Sequence, residues 1–150
     1  MLFILIMEGL SLLINEAQID GKITGVSVDR LIKICHILFI DDVLIMNVAS
    51  IEECVVIQDC MKIFGSAVGL TININKSFVY WIGVDSDELR SCKSLLPHQF
   101  VSLDNGLEPL VVLLNLPGIV HITGTRLFKS LKNASKTGAV DGFLLVGESL

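Results

Sequence analysis

The chain has 150 residues, of which 52% are hydrophobic and 18% charged, with a formal net charge of −5 and a mean hydropathy of +0.72. That length suffices for one domain with a real core, and the acidic balance argues against a self-sufficient nucleic-acid binder, which carries a basic face. The charged fraction lies below the ~25% usual for soluble domains, yet no apolar run reaches the roughly 18 residues that a membrane-spanning helix needs.

The opening run "MLFILIM" stops at Glu8, and "PLVVLLNLPGIV" is interrupted by Asn115, Pro117 and Gly118. No Lys or Arg precedes the opening run, so a signal peptide is not expected. The composition reads as a piece of a buried core from something larger. Cys35, Cys54, Cys60 and Cys92 have no C-x-x-C spacing. They read as reduced, buried thiols of an intracellular protein, with no disulfide partner; cytoplasm and nucleus stay open.

In chain order, residues 2–19 read as a helix. Glu8, Ser11, Asn15 and Gln18 form one polar stripe on an otherwise apolar rod. "DGKITG" supplies turn residues. Residues 31–40 and 43–48 are two short β-prone runs separated by two polar residues, which predicts a hairpin with its core over 34–40 and 43–48. Ser50-x-x-Glu53 reads as a capping box opening a helix over residues 50–64 or beyond, to Gly65 or Gly69. Its apolar face is Cys54, Ile57, Met61, Phe64 and Val68, with Glu52, Asp59 and Lys62 opposite. "LTININ" and "SFVYWIG" read as short strands around Lys76, with Asn73 and Asn75 at turns or edges. "SDEL" opens a short helix that closes near Pro97.

The hairpin tip in "HILFIDDVLIM" places Asp41 and Asp42 side by side between large apolar residues. One reading is an exposed turn, where Asp is common. Asp-Asp is not the favoured Asp-Gly pair, however, and a broken local rule points to another use. The other reading is a metal site. Two carboxylates on a rigid tip can hold divalent cations, which clamp both oxygens of a phosphoryl displacement. The cation also relieves the repulsion between neighbouring anions.

"FILIMEGLSLLINEA", "HILFIDDVLIM" and "GLTININKS" occur in an order and spacing that resembles the palm of non-LTR (LINE-type) retrotransposon reverse transcriptases, especially plant ones. The resemblance covers roughly residues 2–107. Phe39-Ile40-Asp41-Asp42 matches the family's catalytic box, F/Y-A-D-D, except for Ile40 in place of Ala. The resemblance implies an RNA-directed DNA polymerase that uses Mg²⁺, an RNA template and a DNA primer. Asp41 becomes the main metal-binding carboxylate and Asp42 its neighbour. Phe39 supports the primer end. Lys76 aids proton transfer to pyrophosphate, unless it is a solvated lysine beside a strand. The family's first catalytic Asp has no counterpart in this sequence, nor have its fingers, thumb or endonuclease. A truncated palm, inactive alone, is therefore expected. Ile40 also crowds the tip, and overpacking costs typically ~1–3 kcal/mol.

From about Glu108 the character changes: Gly and Val increase and periodicity is lost. Here the family is rich in Trp and basic residues. Shifted by one base, "KTGAVDGFL" (residues 136–144) permits a coding for K-N-W-C-S-R-W-L-S, which looks like the family's own continuation. Thr123-Gly124, Thr137-Gly138 and Asp141-Gly142 each permit a Trp in that frame. The division expected is a partial palm over residues 1–107 and a frame-shifted, non-native tail over 108–150, after a slip near Glu108–Pro109. Patterning in such a tail is accidental and its order low.

The fold class expected is α+β, with an antiparallel hairpin packed on the helices at 2–19 and 50–64 and an irregular C-terminal tail. Two other functions stay open. One is a non-catalytic interaction module that uses an exposed apolar surface. The other is a peripheral membrane protein using residues 2–14.

Overall fold

The first eighteen-residue element contains no proline and Gly9 as its one glycine, and it forms helix α1, Leu2–Ile19. The fold is a computed structural model that describes residues 2–29, 32–39, 42–102 and 142–147. Helix α1 ends where Gly21 turns left-handed at φ 72° and the Lys22 and Ile23 amides donate back to the Ala17 carbonyl. Such back-donation satisfies the carbonyls that a helix end leaves orphaned. Its inward face is Met7, Leu10, Ile14 and Ala17.

Of the apolar run 31–40, the described residues 32–39 do not make one strand. Strand β1, Val26–Asp29, pairs antiparallel with β2, Ile32–Ile34, in a separate two-stranded sheet. Strand β3, His36–Phe39, pairs antiparallel with β4, Asp42–Val48. The break falls at Cys35. Its carbonyl still accepts the Met46 amide at 2.8 Å, so the backbone stays tied to β4 while the preceding residues peel away to β1.

Strand β4 is apolar without alternation, "VLIM", and is buried on both faces. Val43 and Ile45 join the helix-covered core, while Leu44 and Met46 are buried on the opposite side. Helix α2, Ile51–Val68, follows. Cys54, Ile57, Met61 and Phe64 face the core as the 3.6-residue spacing predicts, and Val68 is half-buried. Gly69 closes α2 with φ 72°, donating to the Gly65 carbonyl at 2.9 Å.

"LTININ" alternates like a strand but is not one. The Asn73 carbonyl accepts the Lys76 amide at 3.0 Å and the Ser77 hydroxyl at 2.8 Å, which rolls residues 74–76 into a 3₁₀ turn. The Asn73 side chain makes no cap hydrogen bond, so the turn is closed by its backbone carbonyl alone. Strand β5, Phe78–Ile82, helix α3, Ser86–Leu95, and strand β6, Gln99–Ser102, come next. Asp85 caps α3 by accepting the Ser86 amide, and Pro97 follows its end.

Strand β7, Gly142–Gly147, lies in the middle of the main sheet, whose order is β3-β4-β7-β5-β6. It runs antiparallel to both β4 and β5. These six residues depart from the irregular tail that the sequence suggests. "FLLV" between two glycines is a short apolar run of the kind that fills a central strand. Residues 103–141 and 148–150 of the expected tail lie outside the described residues. The architecture is mixed α and β, compatible with the α+β class: α1, α2 and α3 contribute with Val43, Ile45 and Val79 to one core.

Among the described residues, no helix is long and apolar enough to cross a membrane. All four cysteines are buried free thiols.

Candidate functional site

The hairpin tip is built by two short strands whose last pair is Phe39 opposite Asp42. The connection is therefore residues 40 and 41, one position earlier than the Asp41–Asp42 pair that the sequence suggests. Asp42 is the first residue of β4 rather than a turn residue. Ile40 and Asp41 lie outside the described residues.

Register places Lys76 at the same end of the sheet. Val146 of β7 pairs with Leu44 on one side and Phe78 on the other. Strands β4 and β5 are thus parallel to each other, one strand apart. Asp42 precedes Leu44 by two residues, and Lys76 precedes Phe78 by two. Two inter-strand steps put the Leu44 and Phe78 backbones about 10 Å apart, while Lys76 lies in the 3₁₀ turn before β5, off that ladder. Lys76 itself is exposed and sits at the end of the 3₁₀ turn.

Among the described residues, no group of three or more His, Cys, Asp or Glu side chains is placed to hold a metal ion.

A polar cluster joins α1 to the start of β3. Ser11 Oγ lies 2.8 Å from His36 Nε2, and Cys35 Sγ lies 3.2 Å from His36 Nδ1 and 3.0 Å from Gln18 Oε1, to which it donates. Ser11 and Gln18 are the half-buried members of the α1 polar stripe; Glu8 and Asn15 are exposed, although Asn15 Oδ1 still accepts the Cys35 thiol at 4.0 Å. A thiol beside an imidazole has the outline of a nucleophile and its base. Burial opposes that use. It pushes the Cys35 thiol up and the His36 imidazole down, with Glu8 only partly offsetting the latter. Both shifts favour the neutral pair, and Cys35 is 3% exposed. The cluster satisfies buried polar groups at a helix–strand contact.

Glu53 does not complete the expected capping box. Ser50 Oγ accepts the Glu53 amide at 3.1 Å as predicted, but the Ser50 amide already donates to the Val48 carbonyl. The Glu53 carboxylate instead accepts the amides of Thr24 at 3.1 Å and Val48 at 3.2 Å. It ties the entry to β1, the end of β4 and the first turn of α2 together.

A cleft of about 590 Å³ opens between the second half of α2, residues 69–74 and residues 96–98. Ile57, Met61, Leu70, Ile72 and Leu96 make it apolar, and it reaches the Lys76 turn through Ile74. His98 also lines it, but both ring nitrogens are buried and without a hydrogen-bond partner. No pattern in the sequence signals either that histidine or the cleft. Comparison of the chain with protein-family models, with curated proteins and with solved structures finds no match.

Proposed function

We propose that the chain is a degenerate palm fragment of a retrotransposon RNA-directed DNA polymerase, inactive alone. One observation carries the reading. A tight antiparallel hairpin bears Asp42 at the head of its second strand, and Lys76 lies at the same end of the same sheet. The resemblance to reverse transcriptases would put the metal-binding carboxylates at such a hairpin, with Asp41 the main one and Asp42 its neighbour, and a proton-transferring lysine after the following helix. In that reading Asp41 and Asp42 are what remains of a Mg²⁺ site, Phe39 of a primer-end support, and RNA template and DNA primer were the ancestor's partners.

Primer extension on an RNA template with Mg²⁺ or Mn²⁺ tests the activity, and no DNA product is expected. Synthesis that Asp41→Ala abolishes would overturn the claim of inactivity. The ancestry is tested separately in genomic DNA. The adjacent frame after the codon for Glu108 should encode a Trp-containing reverse-transcriptase continuation, and a stop codon or unrelated peptide there removes the frame-slip account.

A second reading, a non-catalytic interaction module, is favoured by the outward face of α1. Ile4, Leu5, Leu12 and Ile19 are 62–86% exposed. An apolar strip of this kind marks a surface that another chain covers. Mutation of that strip, rather than of Asp41 or Asp42, would then remove the function.

A further inference from the structure

We infer that Cys54 and Cys92 are a dithiol oxidation site, which a peroxide converts to a disulfide bridging α2 to α3. Cys54 lies in the first turns of α2, directly after Glu53, and Cys92 on the last turns of α3. Their sulfurs are 3.5 Å apart, with Cys54 donating to Cys92. Both are buried, at 2% and 0% exposure. A disulfide needs ~2.05 Å between sulfurs, so the pair must close by roughly 1.5 Å from its present contact. Of the other two thiols, Cys35 contacts Asn15, Gln18 and His36, and Cys60 the Leu13 carbonyl. None of those contacts is to a sulfur.

Access is gated by α3. Cys92 is the one buried residue of that ten-residue helix, whose other face is largely solvated. Besides Cys92 the helix is held by the partly buried Leu89 and Leu95 and by Gln58, which donates to the Leu95 carbonyl at 3.2 Å, and a short peripheral helix of this kind opens locally at less than the cost of global unfolding. In the closed state burial holds both thiols protonated, and for Cys54 the neighbouring Cys92 adds to that effect. The thiolate is the reactive form, so the closed pair is inert. During an opening, one thiolate attacks hydrogen peroxide, forming a sulfenic acid and releasing hydroxide, which takes up the thiol proton as water. The second thiol then displaces the sulfenic hydroxyl, which leaves with the second proton as another water. Two thiols and one peroxide give one disulfide and two waters; each sulfur is oxidised by one electron and the peroxide is reduced by two.

The test treats the native full-length chain with stoichiometric hydrogen peroxide, blocks residual thiols with N-ethylmaleimide and maps the digest by mass spectrometry. The expected product is an intact chain lighter by two hydrogens, with one Cys54–Cys92 peptide pair and Cys35 and Cys60 alkylated. Its melting temperature rises, and dithiothreitol reverses the rise. Cys92→Ser should abolish both the pair and the shift. Bridges scattered among all four cysteines, sulfinic acid at Cys54 with no bridge, or a loss of two hydrogens that persists in Cys92→Ser would each overturn the inference.

Discussion

The Glu53 carboxylate accepts the Val48 amide at 3.2 Å, and its second oxygen takes the Thr24 amide. One side chain thereby replaces a ladder partner for the last residue of β4 and a turn partner before β1. Charge-assisted bonds to buried donors are stronger than neutral ones, and an abandoned buried amide costs ~1–3 kcal/mol. Glu53→Ala should lose about 1–3 kcal/mol in urea denaturation, chiefly from the half-buried Val48 amide, because Thr24 is exposed and water can take its amide. Glu53→Gln should lose less, since one acceptor oxygen survives. If Glu53→Ala cost no more than Ser50→Ala, the carboxylate would be a helix cap and nothing further.

Gly65 and Gly69 look interchangeable as helix stops but are needed for different reasons. A Cβ on Gly65 would meet the Leu70 carbonyl oxygen at 2.6 Å, whereas Gly69 has open space around it and a left-handed φ. The first is a steric demand made by the returning chain; the second is a backbone one. Gly69→Ala should cost ~1 kcal/mol and Gly69→Asn less, because Asn tolerates that conformation. Gly65→Ala should cost ~1–3 kcal/mol, as overpacking does, with no relief from Asn. Thermal melts of the three variants separate the two causes.

What the sequence made legible follows the strength of local periodicity. Both long helices were readable from apolar spacing, and Ser50 as the α2 cap from hydroxyl chemistry alone. The short strands were not. Residues 31–40 look like one β run because pairing choice at Cys35 depends on β1 and β4, which no local window contains. "LTININ" fails for the opposite reason: its period is right, but Asn73 gathers two donors and makes a turn. Strand β7 is a nonlocal case. Its place between β4 and β5 is set by two unsatisfied parallel edges, and an apolar run between glycines fits them whatever its coding history. For the candidate site, the hairpin and its acids were visible, but the shift of the connection to residues 40–41 was not. The Ser11–His36–Cys35 cluster had a signal in the polar stripe of α1, but its partner strand could not be named without the fold.

The exposed strip on α1 predicts a solubility effect separable from stability. Leu5, Leu12 and Ile19 bury little, so replacing them forfeits little transfer energy. Surface substitutions away from special features stay within about ±0.5 kcal/mol. The triple variant Leu5→Glu, Leu12→Lys, Ile19→Lys should raise the soluble fraction at unchanged melting temperature. A large drop in melting temperature would mean that these side chains are covered in solution.

His98 supplies a pH dependence whose sign is fixed by its surroundings. Burial lowers its pKa, and it has no partner to stabilise the imidazolium. Unfolding restores the ordinary value near ~6.5. Between the lowered value and that one the unfolded chain binds more protons, so stability rises with pH across the window. The contribution is whole above about pH 6.5 and is lost as the pH falls through the lowered native value. His36 is lowered by burial too and acts in the same direction. His98→Leu removes the titration and two unpartnered buried nitrogens at once. It should stabilise the chain by about 1–2 kcal/mol at neutral pH, and by more at mildly acidic pH. The residual slope over that window then belongs to His36, and His36→Gln in the same background should flatten it further. Urea midpoints measured across the window decide the matter: a slope for His98→Leu equal to that of the parent chain would show that the ring is solvated and ordinary.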